Sequence, residues 1–478
     1  MLQTLSLFAP ELWLALSASL LLGFGYWGGK DRSSFARYYA ITILVVFALM
    51  SFLLGKPEGY AFQESLIVDG FGRYAKLLLG FAAAAALLFS QSYFEKEKLE
   101  RYEYSVLTLY AVLGMSIMVS SNSLLALYIG IEMQSLALYV MAAFNRDSLR
   151  ASEAGLKYFV LGALSSGLLL YGASLVYGFT GSLEFSAIAA SVMEQGATPG
   201  IVAGMVFLLC GLAFKISAAP FHMWTPDVYE GSPTPVTGFF SAAPKFAAMA
   251  LIARVLVGPF EGITASWQQV IVVISVLSMA VGALGALRQT NIKRLMAYSS
   301  IANMGYALVP LAAGTAAGIK GLLIFMSIYV ITVVGIFALI LQMRIRNGMV
   351  EQISDLGGLS KSNRGMALLM TIFMFSLMGI PPMLGFFGKY FAFVPAADAG
   401  LMPLVIIALV FSVVGAFYYL RVIKTMWFDE PKNEFVEAPA SLRYIALVSG
   451  LLVLPILIIP GISTSAQAMI TAAAESLF

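Results

Sequence analysis

The chain has 478 residues, 60% of them hydrophobic and only 11% charged, with a mean hydropathy of +0.89. No soluble globular domain needs so much apolar surface, so the expected fold class is an all-α polytopic membrane protein. A net charge of +3 is too small a bias to call for nucleic acid or an acidic partner, and one cysteine (Cys210) with one histidine (His222) excludes disulfides, iron–sulfur clusters and a haem or transition-metal site within the chain.

The first apolar run, near 10–27, lacks a basic leader and carries Glu11 at its start, so it reads as a retained span rather than a signal peptide. Further runs follow near 36–54, 74–92, 104–121, 123–144, 154–179, 199–229, 235–257, 268–287, 292–313, 319–343, 365–395, 401–427 and 441–461. At roughly twenty residues per crossing these make about fourteen transmembrane helices, two of them long enough to be interrupted. Lys and Arg gather in alternate connections: Lys30, Arg32 and Arg37; Lys96, Lys98 and Arg101; Arg146 and Arg150; Arg288, Lys293 and Arg294; Arg344, Arg346, Lys361 and Arg364; Lys424 and Lys432. The other connections hold little beyond Lys56, Arg73, Lys76, Arg254 and Lys320, so the positive-inside rule puts both termini outside. Asp69 and Arg73 are expected as a solvated ion pair at the outer surface. No connection is long enough for a soluble domain, and no phosphate-binding glycine motif joins a strand to a helix. The expected blocks are 1–103, 104–257, 258–427 and 428–478.

Two long runs contain breaks, one at Ala218–Ala219–Pro220 and one at Gly379–Ile380–Pro381–Pro382, five spans later. Because five is odd, the interrupted spans cross in opposite directions, as in two inverted five-helix repeats whose broken helices meet near the midplane. Proline removes a backbone donor and frees the carbonyl one turn back, leaving polar groups for water or side chains to satisfy.

The breaks lie among charges. Residues 204–248 hold Lys215, His222, Asp227, Glu230, Lys245 and five prolines within apolar sequence. An ionised side chain at the centre of a membrane helix costs roughly 2.5–3.5 kcal/mol on insertion scales, so each is a functional candidate by default. Glu132 lies mid-span, about ten residues from either end and too deep to snorkel; it serves either a hydrated path or a purely structural hydrogen bond. Lys215 sits five residues before Pro220, and a Glu132–Lys215 pair of variable separation would act as a switch, whereas a fixed one would be a static strut. Lys245 follows Pro244, a kink site. Lys389 stands about eight residues beyond the second break, displaced toward the outer face. His222 is either a proton relay between the two lysines or a hydrogen-bonding plug. Lys157 and Glu153, at the inner start of the sixth span, are either an inlet or interfacial anchors. The methionines and aromatics read as core and lipid-facing packing.

PFHMWTPDVYEGSPTPVTGFFSAAPK, RQTNIKRLMAYSSIANMGY and GIPPMLGFFGK, with Glu132 in its span, resemble the antiporter-like membrane subunits of respiratory complex I over nearly the whole chain. That family is similar to components of multisubunit sodium/proton antiporters and membrane hydrogenases. Within it VYEGSPTPVT looks like the N type; the L type would add spans and a long lateral helix, and the M type typically has a glutamate where Lys389 stands. The resemblance implies a proton-translocating subunit of an NADH–quinone oxidoreductase in a bacterial plasma (inner) membrane. Its partners would be the lipid bilayer and the other membrane subunits of complex I. FMN, iron–sulfur clusters, NADH and quinone would be held by other subunits. It maps the family's fifth-span glutamate to Glu132, its broken-helix, central and outer-channel lysines to Lys215, Lys245 and Lys389, and its relay histidine to His222. The rival readings are a subunit of a multisubunit cation/proton antiporter and a structural subunit whose charges only hold helices together.

Overall fold

The computed structural model describes residues 6–28, 33–53, 58–454 and 462–478, leaving Lys30, Arg32 and Lys56 outside it. Helices α1 (Ala9–Gly28), α2 (Ser33–Leu53), α3 (Gly70–Lys96), α4 (Tyr102–Ser120), α5 (Leu124–Ala142) and α6 (Leu149–Thr180) run uninterrupted. After the short α7 (Phe185–Gln195) come α8 (Pro199–Lys215) and α9 (Trp224–Gly231), α10 (Thr234–Ser241) and α11 (Ala243–Val257), α12 (Thr264–Ala286), α13 (Ile292–Ala312) and α14 (Ala316–Ile340). Beyond α15 (Leu359–Ser362) follow α16 (Arg364–Met378), α17 (Leu384–Asp398), α18 (Met402–Phe428), α19 (Ala440–Val453) and α20 (Ile462–Glu475). Two antiparallel hairpins, β1 (Gly59–Ala61) with β2 (Leu66–Val68) and β3 (Arg344–Ile345) with β4 (Gly348–Met349), are the only strand pairs among the described residues. The molecule is therefore an all-α multi-pass bundle, with nine helical segments among the described residues long and apolar enough to cross a membrane.

Helix starts follow from local chemistry. Asp69 accepts from the Gly72 amide, Ser123 from Ala126, Asn291 from Lys293 and Arg294, and Thr315 from Gly318, each satisfying a first-turn N–H that has no partner within the helix. The α6–α8 crossing depends on absent side chains: a Cβ on Gly172 would lie 2.5 Å from the Leu208 amide nitrogen, so only glycine lets the two backbones meet.

The connections are tied to one another at both ends. At the end carrying β1–β2, here the upper end, Leu66 bridges Ser121 and Ser123 bridges Glu184. At the lower end, Asn291 bridges Gln352, Lys293 pairs with Glu351 at 2.8 Å, and Arg344 pairs with Glu97 at 2.6 Å.

Several expectations need correction. The run 199–229 is broken as expected, but its second part is only the eight-residue α9, with residues 216–223 forming the connection. The run at 235–257 is also divided, at Ala242, two residues before Pro244. Helices α7 and α20 were not expected. The first is short and amphipathic, and the second, ISTSAQAMITAAAE, is too rich in Ala, Ser and Thr to register as an apolar run. It packs on α3 and α14, and the Phe71 amide donates to Ser476 Oγ at 2.8 Å. Asp69 is no solvated partner of Arg73: it takes a buried two-point pair from Arg254 at 2.7 and 2.9 Å, while Arg73 pairs with Glu58 at 2.8 Å. Lys76 is not a loop residue either, being buried against Glu11 at 2.5 Å.

Candidate functional site

Besides Lys76 and Lys293, which pair with Glu11 and Glu351, three lysines are buried: Lys215 is 6% exposed, Lys245 1% and Lys389 8%. Among the described residues none has a carboxylate within ion-pair distance; each is held by neutral oxygens instead. Lys215, the last residue of α8, donates to Ser135 Oγ on α5 at 2.8 Å, with Tyr139 Oη at 3.5 Å. Glu132 lies one turn before Ser135 on α5 and accepts from Ser166 Oγ on α6 at 2.5 Å. The expected glutamate–lysine couple is thus two neighbouring sites on α5 rather than a closed ion pair. Glu132 is also only partly buried, on a flank it shares with the exposed Ile129 and Leu136.

Lys245, near the start of α11, donates to Ser300 Oγ on α13 at 2.5 Å, and Tyr329 Oη on α14 donates to the same hydroxyl at 2.8 Å. Further along α13, Asn303 donates to Ser299 O at 2.8 Å and contacts Tyr419 Oη on α18 at 3.4 Å. Tyr306, next on the same face, places its ring 4.8 Å from Lys389 Nζ. Ser299, Ser300, Asn303 and Tyr306 recur at helical spacing, so one stripe of α13 joins two lysines that belong to different broken spans. Asn303, Tyr329, Thr332, Ser376 and Lys389 also line one small cavity of about 10 Å³, the size of a single water molecule.

Lys389 corrects a further expectation. It lies six residues into α17, yet its side chain turns back toward the start of its own helix, as helical side chains do. The ammonium donates to Met378 O at 2.8 Å and Ser412 Oγ at 2.7 Å, so the charge sits at the break and not beyond it. Gly379 closes α16 at φ +80, and a Cβ there would lie 2.8 Å from Lys389 Cδ; glycine both permits the left-handed turn and leaves room for the lysine. A cation against the last carbonyls of a half-helix is favourably placed.

His222 lies in the connection between α8 and α9, about half buried, with Nδ1 unpartnered; no hydrogen bond links its ring to Lys215 or Lys245. The buried hydroxyls of Ser217, Thr225, Tyr229, Ser232 and Thr234, spread along the chain from the α8–α9 connection to the start of α10, also lack partners among the described residues. Buried polar groups are usually satisfied, so these groups leave hydrogen-bonding capacity unused along the segment of chain between Lys215 and Lys245. The aromatics here do more than pack: Lys215 lies 5.7 Å from the Phe214 ring and Lys245 5.3 Å from that of Tyr229, and Tyr158 stacks on Trp224 at 4.3 Å.

At the lower end a charged cup of about 190 Å³ gathers Arg150, Glu153 and Lys157 of α6 with Asp227 and Glu230 of α9. Lys157 pairs with Glu153 at 2.7 Å and Asp227 at 2.9 Å, and Arg294 of α13 ties Asp227 at 2.7 Å to Glu230 at 3.0 Å. Among the described residues no three His, Cys, Asp or Glu side chains converge as metal ligands do.

Comparison with known proteins matches residues 121–415 to the family described as NADH:quinone oxidoreductase/Mrp antiporter, TM. The NADH-quinone oxidoreductase subunit N of Maricaulis maris is 57% identical over 95% of both chains. A chain of respiratory complex I from Thermus thermophilus superposes with a TM-score of 0.83 at 34% identity, covering 96% of this chain and 99% of that one. A chain of the Mrp complex from Dietzia shares the fold, with a TM-score of 0.86 at 20% identity over 99% of this chain and 98% of that one.

Proposed function

The chain belongs to the membrane-subunit family of NADH:quinone oxidoreductases and Mrp antiporters, and from that membership we propose that it is the N-type proton-translocating membrane subunit of a respiratory NADH–quinone oxidoreductase. It sits in a bacterial plasma membrane among the other membrane subunits, which connect it to NADH and quinone. The bundle makes fourteen crossings with both termini outside: α8–α9, α10–α11 and α16–α17 each count once, and the basic lower end faces inward. Its two five-helix units, within 104–257 and 258–427, are inverted repeats.

The observation that carries the reading is the set of three buried lysines held by hydroxyls and a carbonyl. A lysine with neutral partners exchanges its proton without first breaking an ion pair. A proton enters from the cup at Glu153, Lys157, Asp227 and Glu230 and reaches Lys215 or Lys245, with His222 and the unpartnered hydroxyls of the segment from Ser217 to Thr234 holding the water that joins them. It then runs along Ser300, Tyr329 and Asn303 to Lys389 and leaves outward. Displacement of Glu132 relative to Lys215 on its shared wall of α5 sets when Lys215 loads. A swing of roughly two units in proton affinity is worth about 2.7 kcal/mol, enough to matter against the roughly 2.3 kcal/mol that each charge gains or loses per 100 mV.

The test is NADH-driven proton uptake by inside-out vesicles with and without sodium. Quinone-linked, sodium-independent uptake that collapses in Lys389→Ala with the complex still assembled is the expected result. Uptake that requires sodium and ignores NADH would assign the chain to a cation/proton antiporter instead.

A further inference from the structure

We propose that Glu11 and Lys76 form a further proton-exchanging site, at the upper end of the first helices, opening outward past Ser120 and Asp69. The inference rests on the proton-translocation reading and adds a site in a part of the chain that the lysine row does not reach.

Glu11 Oε1 and Lys76 Nζ stand 2.5 Å apart, with side chains only 8% and 4% exposed, and Ser116 Oγ of α4 donates to the same carboxylate oxygen at 2.7 Å. The second oxygen, Oε2, is buried and has no partner among the described residues. Lys76 lies 5.6 Å from the Phe8 ring, and Phe8 packs with Ala61 and Val68 of the upper hairpin, so an apolar plug separates the pair from the surface above it. One turn above Ser116 on α4, Ser120 Oγ is likewise buried and unpartnered. A Cβ on Gly72 would lie 3.0 Å from Asp69 Oδ1 and 3.5 Å from Ser120 Oγ, so both oxygens face one spot that glycine leaves open. Asp69 is held by Arg254, which stands on α11, the helix that carries Lys245.

The row Glu11, Ser116, Ser120 therefore leads from one enclosed pair toward a second, Asp69–Arg254, at the upper ends of α3 and α11. A buried ion pair stabilises a fold no better than apolar residues of the same volume, so stability alone does not account for one in this position. The two unpartnered oxygens supply acceptor capacity that a static strut does not use. In the exchange step a proton binds Glu11 Oε2, turning the carboxylate–ammonium pair into a carboxylic acid beside Lys76 ammonium, and the pair gains one positive charge. Release toward Ser120 and Asp69 restores the original pair.

The experiment compares NADH-driven proton uptake and electron flow in inside-out vesicles carrying the whole complex. The variants are Glu11→Gln, Glu11→Asp and the double replacement Glu11→Leu with Lys76→Met, with Lys215→Ala alongside. Glu11→Gln and the double variant should assemble and lose most of the uptake, because neither keeps a carboxylate to take the proton, and Glu11→Asp should recover most of it. Uptake at the wild-type rate in Glu11→Gln and in the double variant would overturn the proposal, as would failure of both to assemble, which would make the pair a strut. Full uptake in Lys215→Ala would instead overturn the translocation reading on which the proposal rests.

Discussion

At the scale of single residues, what separates the three lysines of the proposed row from the other buried cations is the absence of a carboxylate partner. Arg254 and Asp69 satisfy each other with two short bonds and Lys76 has Glu11, while Lys215, Lys245 and Lys389 are met only by hydroxyls and a carbonyl. Breaking a closed pair leaves a buried charge uncompensated, which costs about 3–5 kcal/mol. Arg254→Leu should therefore lower the thermal stability of the assembled complex and reduce its yield, whereas Lys245→Leu, which strands no carboxylate, should leave both close to wild type and act on pumping alone. A melting curve of the purified complex beside a pumping assay checks both outcomes. The lysines were legible in the sequence because a charge stands out in an apolar run. Their partners were not: Ser135, Ser300 and Tyr329 are ordinary residues of membrane helices, and Asp69 and Arg254 are 185 positions apart. Which neutral side chain meets which lysine depends on helix adjacency, and that is a tertiary property.

At the scale of elements, α13 carries the polar stripe on which the proposed path depends. Its polar stripe is legible in YSSIANMGY, where helical spacing alone puts Ser299, Asn303 and Tyr306 on one face. Asn303→Leu should break the link between Tyr329 and Lys389 without unfolding the helix, because leucine is a good helix former. Proton uptake should fall while assembly and heat stability hold, and full uptake would show that protons bypass α13. The Lys293–Glu351 pair at the lower end gives a pH prediction. Burial raises the proton affinity of Glu351, but Lys293 and Asn291 outweigh it and hold the carboxyl below the usual range. A depressed folded value means that the contact adds stability above the unfolded value, about 4.3, and loses it as pH falls through the folded one. Limited proteolysis within 344–364 should accelerate below about pH 4, and Glu351→Gln should remove that acid dependence. The breaks at Pro220 and Pro381–Pro382 were legible from proline, whereas α7 and α20 were hidden by low hydropathy and short length.

For the whole molecule, the membrane class followed from composition, and the broken spans pointed to the candidate site. What composition could not supply was how the proposed path connects: the contacts that set the cup at the lower end, the α13 stripe and Lys389 at the second break exist only once the helices are assembled. That path is the central claim, and Lys215 is its first buried member. The most direct measurement is NADH-driven proton uptake into inside-out vesicles for the wild type and Lys215→Ala, with electron flow to quinone and complex assembly followed in the same preparations. Uptake and electron flow that fall together in a fully assembled Lys215→Ala complex are the predicted result. Wild-type uptake in that variant would contradict the account and leave the buried lysines as structural charges.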